Sequence, residues 1–201
     1  MKTAPVKRRP YRQGARAAAA AENTRRIIEA AEELFSQRLY DQVTLDDVAR
    51  RAGVGVQTLI RRFPTKEALV AGVNEVVQPR IRAQRSQAPA GDLDGIVTNL
   101  AEHYEHTGDT TLLLLSQEER VPAFGQITAA GRRMHRDWVE QAFAPWLQAL
   151  AAAAREHRTV QLVAICDVYV WKVMCRDQGF TRARYERALN EMIGPLLEED
   201  S

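Results

Sequence analysis

The sequence predicts an all-α protein of about nine helices, a small N-terminal three-helix domain followed by a larger helical one. Three observations predict it. Apolar residues recur at helical spacing from about residue 23 to the C-terminus, with no useful alternating run and no internal repeat. Capping and breaking residues fall where such helices must start and stop. The stretch TLDDVARRAGVGVQTLIRRFPTK, residues 44–66, sets two short helices around a glycine-bearing turn. A chain of 201 residues has room for one small domain and one larger core.

The first 21 residues carry Lys2, Lys7, Arg8, Arg9, Arg12 and Arg16 and no acidic residue. With Pro5, Pro10, Gly14 and the run Ala17 to Ala21 they hold no apolar set to bury, so a disordered basic arm over 1–21 is expected. Such an arm either reaches along a minor groove and its phosphates or remains a solvated tail. A secretory signal does not fit, because the alanine run is short and weakly apolar and Glu22 and Arg25 follow at once.

The first helix of the small domain begins near Asn23, and the domain spans 22–66. Thr44 precedes Leu45 and Val48, and Asp47 stands three residues on, where it returns the capping bond; a helix therefore starts at Leu45. It ends near Arg51, since Gly53 takes the left-handed conformation that closes a helix most readily. Ala49 is small enough to let the next helix cross closely. That helix runs from Val56 to about Arg62, with Leu59 and Phe63 inward and Gln57, Thr58, Arg61 and Arg62 outside.

An exposed set of that chemistry suits DNA. Gln pairs bidentately with an adenine edge, Thr meets a thymine methyl or a phosphate, and Arg serves guanine or phosphate. The competing reading is the solvated face of an ordinary helical hairpin. Charge favours the first: residues 1–66 hold 14 Lys or Arg against 7 Asp or Glu, while the remaining residues hold 14 against 19. A basic end on an acidic body turns one side toward nucleic acid.

At this point NTRRIIEAAEELF, VTLDDVARRAGV and TLIRRFPTKEALV, in that order, resemble the TetR family of bacterial transcriptional repressors over about Asn23 to Val77. The resemblance implies that Thr24, Arg25, Thr44 and Lys66, at helix starts, hold phosphates of double-stranded DNA. It places Val56, Gln57, Thr58, Arg61 and Arg62 at the major groove. Three positions depart from the family's usual residues: Gly55 where Ser or Thr is common, Ile60 where a phosphate-gripping Tyr is common, and Arg62 where His is common.

The rest, 67–201, reads as a helical effector-binding and dimerisation domain. Lys66 to about Arg85 forms one helix capped by Thr65, bent or divided by Pro79. SQAPAGD, residues 86–92, is a linker. Leu93 to Thr107 and Thr110 to Glu119 make a pair of helices separated by Gly108; Pro122 to Arg155 follows with kinks at Gly125, Gly131 and Pro145. Val160 to Asp177 is the next helix, and Thr181 caps the last, which ends near Glu198. Cys166 and Cys175, nine residues apart, would lie about 900° around one helix and so on opposite faces, as small buried thiols.

The 160–178 helix is apolar nearly all round and needs cover on every side. Together with the last helix it is the expected homodimer interface, through Val170, Met174, Tyr185, Leu189, Met192 and Leu196. A dimer sets two reading helices about 34 Å apart over a palindromic operator, and an effector that alters this spacing releases the DNA. Candidate pocket residues are His103, Tyr104, Met134, Trp138, Phe143, Trp146, Tyr169 and Trp171, aromatics and their neighbours that suit an organic effector or simply fill a core.

Glu102, His103, Glu105 and His106 cluster on one stretch, but no further ligand group completes a metal site, so neither metal nor cofactor is expected. The sequence holds no phosphate loop, nucleophile elbow or zinc spacing, which argues against an enzyme. No stretch approaches the roughly 20 apolar residues of a membrane span, and a cytoplasmic protein is expected. The alternatives to a ligand-responsive repressor are an effector-independent DNA-binding protein and a helical enzyme or binding module.

Overall fold

A computed structural model describes residues 9–198, helical throughout and without a strand among the described residues. The helices are α1 (Arg9–Gln37), α2 (Leu45–Ala52), α3 (Val56–Arg62), α4 (Lys66–Arg85), α5 (Leu93–Leu115), α6 (Pro122–Ala142), α7 (Ala144–Leu147), α8 (Ala152–Ile165), α9 (Val168–Trp171) and α10 (Arg182–Glu198). A 3-10 turn, Tyr40–Gln42, follows α1, and a π-helical segment, Lys172–Asp177, continues α9. The chain divides into two compact units after Asn74.

In the first unit α1 packs mainly on α2, and α2 on α3, around Ile27, Ala31, Leu34, Val43, Val48 and Leu59. The expected boundary at 66 moves outward because Leu69 and Val70 are buried and Phe63 lies against Gly72, where a Cβ would come within 2.5 Å of its ring. The expected disordered arm is corrected from Arg9 onward: α1 begins there, in front of the first buried residue. Alanine has the highest helix propensity, so Ala17 to Ala21 extend the helix without a face to bury. Residues 1–8 of the arm lie outside the described residues.

The second unit is held by one core cluster that includes Leu100, Tyr104, Trp138, Phe143, Leu162, Trp171, Tyr185 and Leu189. Here α10 packs along α5, α5 meets α6 and α9, and α8 meets α6 and α10. Helix α5 ends at Leu115 rather than Glu119, the expected 122–155 region divides into α6, α7 and the start of α8, and two further differences have a clear cause. Gly108 separates no helices; it is buried inside α5, and a Cβ there would meet the Trp171 ring at 2.3 Å. The glycine is a packing device rather than a break.

The expected helix 160–177 is the other correction. Helix α8 already starts at Ala152 and stops at Ile165, because Asp167 opens a new helix: its backbone is extended and its Oδ1 accepts from the Tyr169 amide at 2.9 Å. Cys166 and Cys175 therefore do not share one helix, and their expected opposition has no basis. Both thiols are free.

Candidate nucleic-acid interface

The helix-turn-helix is built by local contacts. Thr44 Oγ1 accepts from the Asp47 amide at 3.1 Å, and the Asp47 carboxylate accepts from the Thr44 amide at 3.2 Å and from its hydroxyl at 2.7 Å. The Thr44 hydroxyl also holds the Asp47 carboxyl below the usual carboxylate range. Gly53 closes α2 at φ 64, and its amide returns to the Ala49 and Arg50 carbonyls. The turn is thus fixed at both ends before α3 begins.

Helix α3 has two distinct sides. Leu59 and Phe63 are buried, and Gln57, Arg61 and Arg62 are exposed, with Val56 and Thr58 half-buried between them. Among the described residues neither Arg61 nor Arg62 is held by a carboxylate, whereas Arg50 and Arg51 are paired with Asp47 and Glu33. Arg62 instead lies over the Phe63 ring, 5.3 Å from its centroid. Ile60, at the position where the resemblance leads one to look for a tyrosine, is an exposed apolar side chain on this same helix. Gly55 precedes α3 and supplies no side-chain cap.

The expected phosphate residues are less free than the resemblance implies. Thr24 and Arg25 do not start a helix, since α1 begins at Arg9. The Thr24 hydroxyl donates back to the Ala20 carbonyl at 3.0 Å, and Arg25 is clasped by Glu22 and by Glu29 at 2.6 Å, which raises its pKa further. Thr44 is committed to its capping box. Lys66 Nζ donates to the carbonyls of Tyr40 at 2.7 Å and Val43 at 2.9 Å and sits 3.9 Å above the Tyr40 ring. It ties the 3-10 turn to α4.

Behind it the Tyr40 hydroxyl donates to Glu67 at 2.6 Å, which lowers the Glu67 pKa while burial raises that of the phenol. These ties hold the base of the domain. The exposed side of α3 carries no such ties.

In the second unit Tyr104, Trp138, Phe143 and Trp171 are buried, Trp146 is packed against them, and His103 and Met134 are half-buried. Tyr104 stands 5.1 Å from the His103 ring and 6.0 Å from Trp171, and Phe143 lies between Trp138 and Trp146. Tyr169 does not belong with them: it is 54% exposed, turned outward by the new helix that Asp167 starts. A cavity of about 60 Å³ is lined by Trp171 and by Cys175, Phe180 and Tyr185, residues outside the expected pocket set.

Two residues that the sequence did not mark, Arg85 and His135, join the aromatic core. Arg85 is buried, stacks 3.7 Å from the Trp138 ring centroid, and its Nη2 meets His135 Nδ1 at 3.1 Å. No spacing or motif singles them out, because both sit at ordinary polar positions of helical runs.

The expected dimer residues also separate. Tyr185 and Leu189 are corrected: they fill their own unit's core, since the same face of α10 packs along α5. Val170, Met174 and Leu196 are half-buried and Met192 is 40% exposed. Of the Glu102–His106 group, His106 Nδ1 donates to the Glu102 carbonyl at 2.8 Å, a local helix contact, and no three-residue metal-ligand cluster exists among the described residues.

A capped helix-turn-helix with an exposed polar face on its second helix, followed by a second helical unit, has the layout of helix-turn-helix folds. Residues 27–73 match the model for bacterial regulatory proteins of the tetR family. The likeness to that family is confined to this first unit. Over 69 residues the chain is 36% identical to the HTH-type transcriptional regulator AlkX of Mycobacterium tuberculosis, a stretch covering 34% of this chain and 31% of that relative.

The fold as a whole resembles a transcriptional regulator from Rhodococcus sp. Rha1, with TM-score 0.68 at 17% identity over 87% of this chain and 96% of the other. It also resembles a proposed regulator from Saccharomonospora viridis solved in complex with choline, with TM-score 0.65 at 19% identity over 87% and 96% of the two chains. No helix among the described residues is long and apolar enough to cross a membrane.

Proposed function

We propose that the chain is a cytoplasmic, ligand-responsive transcriptional repressor that binds a palindromic operator as a homodimer and is released by a small organic effector. One observation carries the DNA reading: α3 buries Leu59 and presents Gln57, Arg61 and Arg62 to solvent, with both arginines free of carboxylates among the described residues. Those are the donors and acceptors that base edges and phosphates require. Thr24, Arg25, Thr44 and Lys66 then shape the domain, and Arg25 contributes to phosphates only by exchanging Glu22 and Glu29 for them.

Dimerisation follows from the size of α3. A helix of 7 residues reaches few base pairs, so two copies must act together. The exposed apolar side chains Val160, Tyr169, Val173 and Met192, on α8 to α10, support that end of the chain as the contact. The likeness to a choline-bound regulator supports a small organic effector without giving its chemistry.

The test is a shift assay on DNA selected from a random pool. Gln57→Ala with Arg61→Ala should abolish binding while sizing still shows a dimer; undiminished binding rejects α3 as the reader. Replacing Val173 and Met192 by Asp should give monomers, and a persistent dimer moves the interface elsewhere.

A further inference from the structure

Side chains four positions apart stand over one another on a helix, so the surface of α3 runs in rows. Gln57 and Arg61 form one row, Thr58 and Arg62 a second, and Val56 and Ile60 a third, while Leu59 turns inward. The first two rows are polar. The third is apolar along its length: Val56 is half-buried and Ile60 is 36% exposed.

Leu39 and Ile60 are the exposed large apolar side chains of the first unit among the described residues. Leu39 precedes the 3-10 turn, whereas Ile60 stands on the helix whose exposed side carries Gln57 and Arg61. A single exposed apolar side chain is ordinary on a protein surface; what sets Ile60 apart is this company. It serves no helical need, since a β-branched residue forms helix less readily than alanine, lysine or glutamate.

The base edges of a major groove present hydrogen-bond donors and acceptors and one substantial apolar group, the C5-methyl of thymine; outside them lie the phosphates. Set against a phosphate or a base oxygen, isoleucine strips away water and returns no hydrogen bond. Set against a thymine methyl it leaves no polar group bare, and both surfaces leave water.

We propose that Ile60, with Val56 beside it, is a specificity-determining residue that reads the C5-methyl group of a thymine in each half-site, next to the base that Gln57 contacts. This role rests on α3 as the DNA-reading helix and refines it: the polar rows supply hydrogen bonds, and the apolar row supplies a contact that involves no charge. Along the helix axis Ile60 stands about 4.5 Å from Gln57, and successive bases are about 3.4 Å apart, so the thymine lies about one base step from the base that Gln57 contacts.

The experiment starts from the DNA that the full chain selects from a random pool. The selected sites should share a thymine at a fixed position in each half-site. Replacing those thymines by deoxyuridine removes the methyl and keeps every hydrogen-bonding group; it should weaken binding about fourfold for each half-site, the effect of one buried methyl. Deoxyuridine at thymines outside the half-sites should have no effect. Ile60→Ala should bind the thymine operator at least as weakly as the parent binds the uracil operator, and should lose no more on uracil replacement. Its salt dependence should equal the parent's, because no phosphate contact is removed.

The proposal is overturned if thymine and uracil operators bind alike, if Ile60→Ala keeps the full uracil penalty, or if Ile60→Ala flattens the salt slope as loss of a phosphate contact would. The uracil comparison uses the unaltered protein and so decides even where Ile60→Ala fails to fold. Selected DNA without a uracil effect rejects thymine readout and leaves α3 as the reader. A chain that selects no DNA rejects both.

Discussion

The two units are stabilised in different ways. In the first, polar groups pair at helix ends and on the surface: Thr44 with Asp47, Lys66 with the carbonyls of Tyr40 and Val43, Arg51 with Glu33. In the second, polar groups are carried into an aromatic core and partner each other across long sequence gaps, as Arg85 with His135 and Tyr104 with Cys166. The second unit buries a cation, Arg85, beside two histidines held neutral by burial, which costs stability.

The difference should appear first on truncation of Trp171, which is 1% exposed and packs on Tyr104 and against the bare face of Gly108. Trp171→Ala should cost about 3–5 kcal/mol of unfolding free energy in the second unit. Calorimetry should resolve the loss as an early transition of that unit, with the first unit's transition unmoved. A single shifted transition for the whole chain would show that the units do not unfold separately.

Acid should discriminate nearly as well, because the four histidines, His103, His106, His135 and His157, all lie in the second unit. The folded values of His103 and His135, about 3 and about 4, lie below the 6.5 of a free imidazole, chiefly through burial. Below 6.5 the unfolded chain binds protons that the folded one refuses. Their contribution is therefore complete above 6.5 and is lost as pH falls toward the folded values.

By pH 5 the second unit should lose on the order of 1–2 kcal/mol for each of the two. The first unit should hold through that window, since its carboxyls with shifted values, Glu22, Asp47 and Glu67, are lowered and lose their effect only in stronger acid. Equal sensitivity of both units between pH 6.5 and 5 would contradict the neutral-histidine interior.

A smaller effect comes from Gly108→Ala, where the added Cβ meets the Trp171 ring at 2.3 Å. Overpacking of this kind should cost about 1–3 kcal/mol, against a gain in helix propensity of under 1 kcal/mol. A stabilised variant would return Gly108 to the role of a simple helix weak point.

That role is the one the sequence invites, and it shows which features were legible. The start of α2 at Leu45, the closing Gly53 and both ends of α3 were readable because each depends on residues within four positions of itself. The continuity of α5 through Gly108 depends on Trp171, more than sixty positions away, and the burial of Arg85 depends on His135 and Trp138. Local rules also failed on the helical stretch before Glu22, where composition suggested disorder and alanine propensity prevailed. What the sequence does not reveal about Lys66 and Thr44 is that both also have partners within the fold, the carbonyls of Tyr40 and Val43 and the Asp47 carboxylate.

Gly55 supplies the finest test of that distinction. It sits in extended backbone at φ −69, ahead of α3, with nothing within 4 Å of where a Cβ would be. Serine fits there without strain and can cap the α3 amides that Gly55 leaves without a side-chain partner. Gly55→Ser should therefore stabilise the first unit by about 0.5–1 kcal/mol, through the cap and through a stiffer unfolded chain, with no change in the second unit. Because the added bond lies wholly at the start of α3, its effect should register in the first unit alone. A gain that fails to appear in its melting would mean that the end of α3 is held by something other than its own sequence.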